Sequence, residues 1–176
     1  MTRRSEGAAA VDSVRVLGID PGSLATGYGI VEQSRAGMQA LTWGAVRTQA
    51  RQPLPVRLRR IYEGLSEVIR VWNPEAAVVE KVFFAENAKA ALTLGQARGV
   101  ALLTVANAEL ALVEYSALEI KQAVVGYGRA AKEQVQEMVR VLLSLPTVPR
   151  PADAADALAA AICYLHSHAW QRKLAP

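Results

Sequence analysis

A single cysteine and two histidines in 176 residues leave little room for chemistries that depend on them. The lone thiol, Cys163, excludes a disulfide within the chain. Set in an alanine-rich apolar run, it reads as a small core residue in a reducing compartment. No nearby pattern supplies the histidine a thiol nucleophile would need. His166 and His168 fall late in the last predicted helix and read as surface or core filling. Long hydrophobic runs are also lacking. The longest, over 100–113, is interrupted by Thr104, Asn107 and Glu109, which argues against a membrane span. The first ten residues carry Arg3 and Arg4 but no apolar stretch, so no secretory leader is expected and a cytoplasmic location is.

What is present suits one globular domain: 52% hydrophobic and 20% charged residues, over a length that can bury a core without staples. Residues 1–13, polar and small, read as a flexible extension, and 14–172 as a single domain. Lys and Arg number 20 against 16 Asp and Glu, a net charge of +4. That excess is modest. It grows once several acids are neutralised by bound cations, and it then suits contact with a phosphate backbone.

Short β-branched or apolar pieces at 14–19, 27–31 and 41–46 predict three strands, the first ending in the turn Asp20-Pro21-Gly22-Ser23. From Leu54 the period changes. Leu58, Ile61, Leu65, Val68 and Trp72 form an amphipathic stripe, with Arg57, Arg60, Glu63 and Arg70 off it, and Asn73-Pro74 stops the helix. A strand over 76–79 leads to Glu80. Asn87 is the expected N-cap of a helix reaching to about Leu110. A strand over 112–115 follows, then a helix capped by Ser116, another over 132–143, a proline-rich linker and a last helix over 153–170. The order predicts an α/β sandwich on a mixed sheet of about five strands, its opening meander antiparallel and its crossover strands parallel.

Four acids occupy unusual places. Asp20 and Glu80 lie at the carboxyl ends of predicted strands, where ligand sites form in open α/β sheets. Asp153 and Asp156 share one face of the first turn of the final helix. Each has an ordinary alternative: a turn residue for Asp20, a surface ion pair for Glu80, a cap or helix-dipole partner for Asp153 and Asp156. Together they form a carboxylate cluster that calls for a hard cation, Mg²⁺ or Mn²⁺. Two such ions, about 3.5–4 Å apart, would bridge a scissile phosphate without a covalent nucleophile.

The blocks Gly18-Ile19-Asp20-Pro21-Gly22 with Thr26-Gly27-Tyr28-Gly29, Glu80-Lys81-Val82-Phe83-Phe84 with Leu94-Gly95-Gln96-Ala97-Arg98-Gly99, and Ala152-Asp153-Ala154-Ala155-Asp156-Ala157-Leu158-Ala159 together resemble the RuvC family of Holliday-junction resolvases, in the family's order and over roughly residues 14–168. The resemblance implies a ribonuclease-H-like fold and four-way junction DNA as substrate. It also implies that Asp20, Glu80, Asp153 and Asp156 are catalytic ligands of two Mg²⁺, with Mn²⁺ able to substitute. It implies a homodimer that nicks two strands of like polarity, leaving 5′-phosphate and 3′-hydroxyl ends, and an association with the branch-migration proteins RuvA and RuvB. Lys121 and Lys132 match basic residues used near the site and on DNA, and Arg98 is a further DNA-contact candidate or faces a dimer partner. Phe83 matches an aromatic that stacks on bases, a contact worth about 1–3 kcal/mol. Read from the residues alone, one of Phe83 and Phe84 serves the core, and Phe83, three residues beyond Glu80, is expected to be the exposed member near the substrate. Ala91, Gly95 and Gly99 fall four apart on one helix face, allowing close approach of the sheet or of a second subunit.

An actin-like or sugar-kinase-like ATPase shares the Gly-Ile-Asp turn but needs two related domains, which this length does not supply. A relative acting on structured RNA would share fold and metals. A module that binds junctions without cutting would gain nothing from four carboxylates that repel DNA.

Overall fold

The computed structural model describes residues 13–81 and 88–174, and Phe83, Phe84 and Asn87 lie outside that set. Five strands, β1 (Val14–Asp20), β2 (Ala25–Ser34), β3 (Gly37–Arg47), β4 (Ala76–Lys81) and β5 (Ala111–Ser116), form one sheet in the order β3-β2-β1-β4-β5. β1 pairs antiparallel with β2, and β2 with β3. β1 pairs parallel with β4, and β4 with β5. The mixed sheet expected from the sequence is thus present, its strands longer than the apolar runs suggested because the polar hairpin residues continue the pairing.

Among the described residues five helices cover it: α1 (Leu54–Trp72), α2 (Ala88–Asn107), α3 (Ala117–Val125), α4 (Lys132–Leu142) and α5 (Ala152–Leu174). α1 ends where Asn73 turns left-handed at φ 45° and donates its N–H to Ile69 O, immediately before Pro74. α3 opens on a capping box. The Ser116 hydroxyl accepts from Glu119 N–H, and the Glu119 carboxylate accepts from Ser116 N–H. α2 stops at Asn107, short of the expected Leu110, because Glu109 is left-handed (φ 55°) and Leu110 N–H closes back onto Val105 O.

The central strands are buried on both sides, and their alternating side chains feed two cores. Leu17, Ile19, Ile30 and Val79 pack with Ile61, Leu65, Ala97 and Ala101 of α1 and α2. Val16, Val31 and Val78 pack with α3, α4 and α5 on the other face, where Leu158 and Ile162 are fully buried. At roughly 1.5–3 kcal/mol for each large apolar side chain removed from water, these contacts fix α5 on the sheet. Among the described residues no helix is long and apolar enough to cross a membrane.

Candidate active site

α5 lies unusually close to β1 and β2. A Cβ at Gly18 would stand 1.8 Å from Ala157 O, one at Gly27 2.0 Å from Asp153 O, and one at Gly29 2.6 Å from the Leu158 side chain. Opposite them the helix presents Ala154, Ala155, Ala157 and Ala161, each at most 1% exposed. Glycine on the strands and alanine on the helix let the two backbones approach almost to contact. This seating brings the first turn of α5, with Asp153 and Asp156, to the carboxyl end of β1.

The parallel register Ile19↔Val79 sets Asp20 beside Glu80. The two side chains project on the α5 face, because their neighbours Ile19 and Val79 point into the opposite core. Asp20, Glu80 and Asp156 line a cleft of about 400 Å³, together with Lys121, Lys132 and Ile120. Asp153 does not line it, yet its charge acts on both Asp20 and Asp156. The structure therefore gathers the four acids and two of the three basic residues singled out from sequence. Arg98 is elsewhere. It pairs with Glu114, whose β5 position is paired with Val79, on the opposite face of the sheet.

The electrostatics are those of crowded acids. Burial, then the charges of Asp156, Glu80 and Asp153, push the Asp20 carboxyl up to about 8 from 3.8, against the pull of Lys132. Burial and Asp156 raise Glu80. Burial raises Asp156 despite its hydrogen bond from Lys132. Lys132 Nζ, on the first residue of α4, donates to Asp156 Oδ2 at 2.5 Å. Burial acts to lower the Lys132 pKa, and the bond to Asp156 with the surrounding acids more than offsets it. Among the described residues no three carboxylate, histidine or cysteine side chains close on one point. Lys132 draws Asp156 to itself.

The turn that follows Asp20 is clamped from behind. Ser23 O accepts from Thr48 Oγ1 at 2.6 Å and from Arg57 Nη2 at 2.8 Å and Nε at 3.2 Å. The fully buried Thr26 hydroxyl donates to Gly22 O at 2.7 Å. From sequence, Arg57 is only a charge off the α1 stripe. Its partner is a carbonyl 34 residues away, which periodicity cannot reveal.

The remaining reactive side chains stand apart from the cleft chemistry. Cys163 is buried, its thiol pushed up to about 12 by burial and by Glu119. His166 Nδ1 lies 2.9 Å from Ala123 O, and His168 stacks on Tyr164 with ring centroids 3.8 Å apart.

Comparison with known proteins bears directly on this arrangement. The family model for crossover junction endodeoxyribonuclease RuvC matches residues 16–164. The chain belongs to the RuvC family. It is 54% identical over 155 residues to the RuvC of Pelobacter propionicus, covering 88% of each chain. It is 53% identical over 154 residues to that of Geobacter sulfurreducens, covering 88% of this chain and 93% of the relative. Among solved structures, Thermus thermophilus RuvC in complex with a Holliday junction substrate superposes with a TM-score of 0.84 at 35% identity, covering 90% of this chain and 96% of that one. A yeast mitochondrial Holliday junction resolvase shares the fold at a TM-score of 0.68 and 16% identity, covering 92% and 81%. The family's sheet and flanking helices are the ribonuclease-H-like architecture expected from the sequence.

Proposed function

We propose that this chain is a crossover junction endodeoxyribonuclease that resolves four-way DNA junctions by metal-dependent hydrolysis. Mg²⁺ is its ion, and Asp20, Glu80, Asp153 and Asp156 hold it. The observation that carries this reading is the pooling of four acids from three separate elements at one end of the sheet, beside two lysines. The names of its relatives, and the junction bound in the Thermus complex, support DNA as the substrate.

The donor set fits a hard divalent cation. It is all oxygen, and burial together with the repulsion of the neighbouring acids, which a cation would discharge, holds Asp20 near 8. When bound, two such ions supply an activated water and stabilise the leaving oxygen. This chain's own residues do the positioning. Lys121 and Lys132 face the same cleft and offer ammonium groups to phosphate oxygens, which places DNA without reading its sequence. The Arg57–Thr48 clamp on Ser23 O holds the Asp20 turn at the strand end. Phe83, three residues beyond Glu80, is the aromatic proposed to stack on an opened base.

Incubation of a synthetic four-way junction carrying a mobile core, with Mg²⁺ or Mn²⁺ and separately with chelator, tests this reading. Paired symmetric nicks with 5′-phosphate ends, present only with metal, are expected. Tight binding with no nicks under either ion would leave a junction-binding module instead, and preferential cutting of structured RNA would replace the substrate.

Paired nicks require two sites, and a homodimer supplies them by symmetry. The outer face of α2 suits that role. A Cβ at Gly95 or Gly99 would meet nothing within 4 Å, so these small residues do not serve packing against the chain's own sheet. Leu92 and Leu103 are 68% and 54% exposed on the same helix. Gly95→Glu adds a good helix former at an open position, so the fold should survive. A charge buried in an interface should weaken self-association by at least about tenfold, read by analytical ultracentrifugation. An unchanged sedimentation profile would move the interface elsewhere. RuvA and RuvB are the partners this reading places around the resolvase.

A further inference from the structure

From Gln33 to Tyr62 the chain has no Asp or Glu but carries Arg35, Arg47, Arg51, Arg57, Arg59 and Arg60. β3 divides this run spatially: Arg35 stands in the hairpin before it, and Arg47 ends it. The register links Asp20 to Gly27, Gly27 to Ala45, and Ala25 to Arg47. Gly27 faces the α5 backbone. Cross-strand partners, and residues two apart along a strand, share a face. Arg47 therefore projects on the face that carries the Asp20 carboxylate, two strand spacings or about 10 Å to the side and one residue pair further along.

Two more arginines lie near that end of β3, Arg60 reaching it from α1 on the opposite face of the sheet. Arg60 Nε donates to Arg47 O at 2.6 Å, which sets α1 against the end of β3. Arg51, in the loop between them, donates to the neutral Gln49 side chain at 3.0 Å. Arg47, Arg51 and Arg60 are all exposed. Among the described residues none of the three is ion-paired with a carboxylate, whereas Arg15, Arg59, Arg70, Arg98 and Arg140 each are. Three exposed guanidiniums around one strand end, none neutralised by a carboxylate, suit a polyanion, and a guanidinium fork matches phosphate oxygens. Lys121 and Lys132 border the cleft from the other side, on helices that pack over β5 and α5.

We propose that Arg47, Arg51 and Arg60 form a phosphate-binding ridge that grips the backbone of one duplex arm on the β3 side of the cleft, opposite Lys121 and Lys132. The proposal rests on the junction-DNA reading and deepens it by placing a second, non-catalytic grip on the substrate.

Fluorescence anisotropy of a labelled four-way junction in Ca²⁺, titrated over a range of salt, tests it. The triple variant Arg47→Gln, Arg51→Gln, Arg60→Gln should fold with an unchanged thermal midpoint. Its plot of log Kd against log salt should be shallower by about 2–3, roughly 0.9 per lost phosphate contact, and its junction affinity should fall at least about tenfold at moderate salt. Arg47→Gln alone and Arg35→Gln alone remove the same charge from opposite ends of an 11-residue strand. Only Arg47→Gln should change the slope. An unchanged triple variant, or an Arg35→Gln effect equal to that of Arg47→Gln, would overturn the ridge while the junction reading stood. A wild-type chain with no affinity for the junction would overturn both.

Discussion

Asp20→Asn is expected to lower junction nicking by about a thousandfold or more, to leave junction binding intact or tighter, and to stabilise the metal-free protein. The loss of activity follows from removing a proposed ligand at the end of the central strand β1, on which the charges of the other three acids all act. Deleting even one uncharged stabiliser of a transition state costs about 10²–10³ in rate, and a charged ligand at the centre should cost more. The gain in stability follows from the burial of Asp20 and from the crowding around it. Asp20 rises from 3.8 to about 8 on folding, so between those pH values the folded chain holds a proton that the unfolded chain has released. Wild-type stability must therefore fall as pH climbs through that window. Asparagine carries no such proton, and the variant lacks this slope. In chelator, the stability gap between variant and wild type should be small near pH 4, widen up to about pH 8 and then level off at about a few kcal/mol. Adding Mg²⁺ should narrow or reverse the gap, because binding stabilises only the chain that still holds the ligand. Thermal melts at pH 5 and pH 8, with and without the ion, separate these cases. A gap that does not grow with pH, or an Asn variant that nicks normally, would remove Asp20 from the centre.

The readable part of this molecule is what local pattern encodes. The α1 stripe from Leu58 to Trp72, the Asn73-Pro74 stop and the Ser116 cap each depend on residues within a turn of one another, and the structure has all three. The acids were legible for a related reason. A carboxylate at the end of an apolar strand is odd locally, and strand ends converge in an α/β sheet. What remained hidden depends on what lies opposite. Gly18, Gly27 and Gly29 look like turn or motif glycines until α5 is laid on them. Arg57 and Arg98 look alike as helix charges, yet one holds the Ser23 carbonyl near the site and the other pairs with Glu114 on the far face. Lys132 was a candidate DNA contact. Only the fold shows that its ammonium already sits on Asp156, so that the same side chain balances the acids.

The closeness of α5 makes Gly27→Ala the second large-effect substitution. Gly27 pairs with Asp20 across β1 and β2, and its added methyl would meet Asp153 O at 2.0 Å, Asp153 C at 2.4 Å and Asp153 Cβ at 3.0 Å. The first two are backbone atoms and cannot swing aside as a side-chain tip can. The start of α5 must lift by about 1 Å or more to restore ordinary contact. Overpacking of this kind costs roughly 1–3 kcal/mol and more against backbone, so the melting temperature should fall by about 5–10 °C in a chain this size. Activity should fall further than stability. A displacement of about 1 Å in a positioned group can cost on the order of a hundredfold, and here it moves Asp153 and Asp156 away from Asp20 and Glu80 together. Nicking assayed well below the variant's midpoint, where the chain is folded, isolates that geometric loss. If Gly27→Ala melts early but nicks at the wild-type rate when folded, the α5 acids do not have to sit where the glycine lets them, and Asp20 with Glu80 would have to carry the reaction alone. If it melts and nicks as wild type, α5 does not rest on β2 at all. Loss of nicking in a folded chain, with junction binding retained, is the result that ties the glycine spacing of β2 to the chemistry at the end of β1.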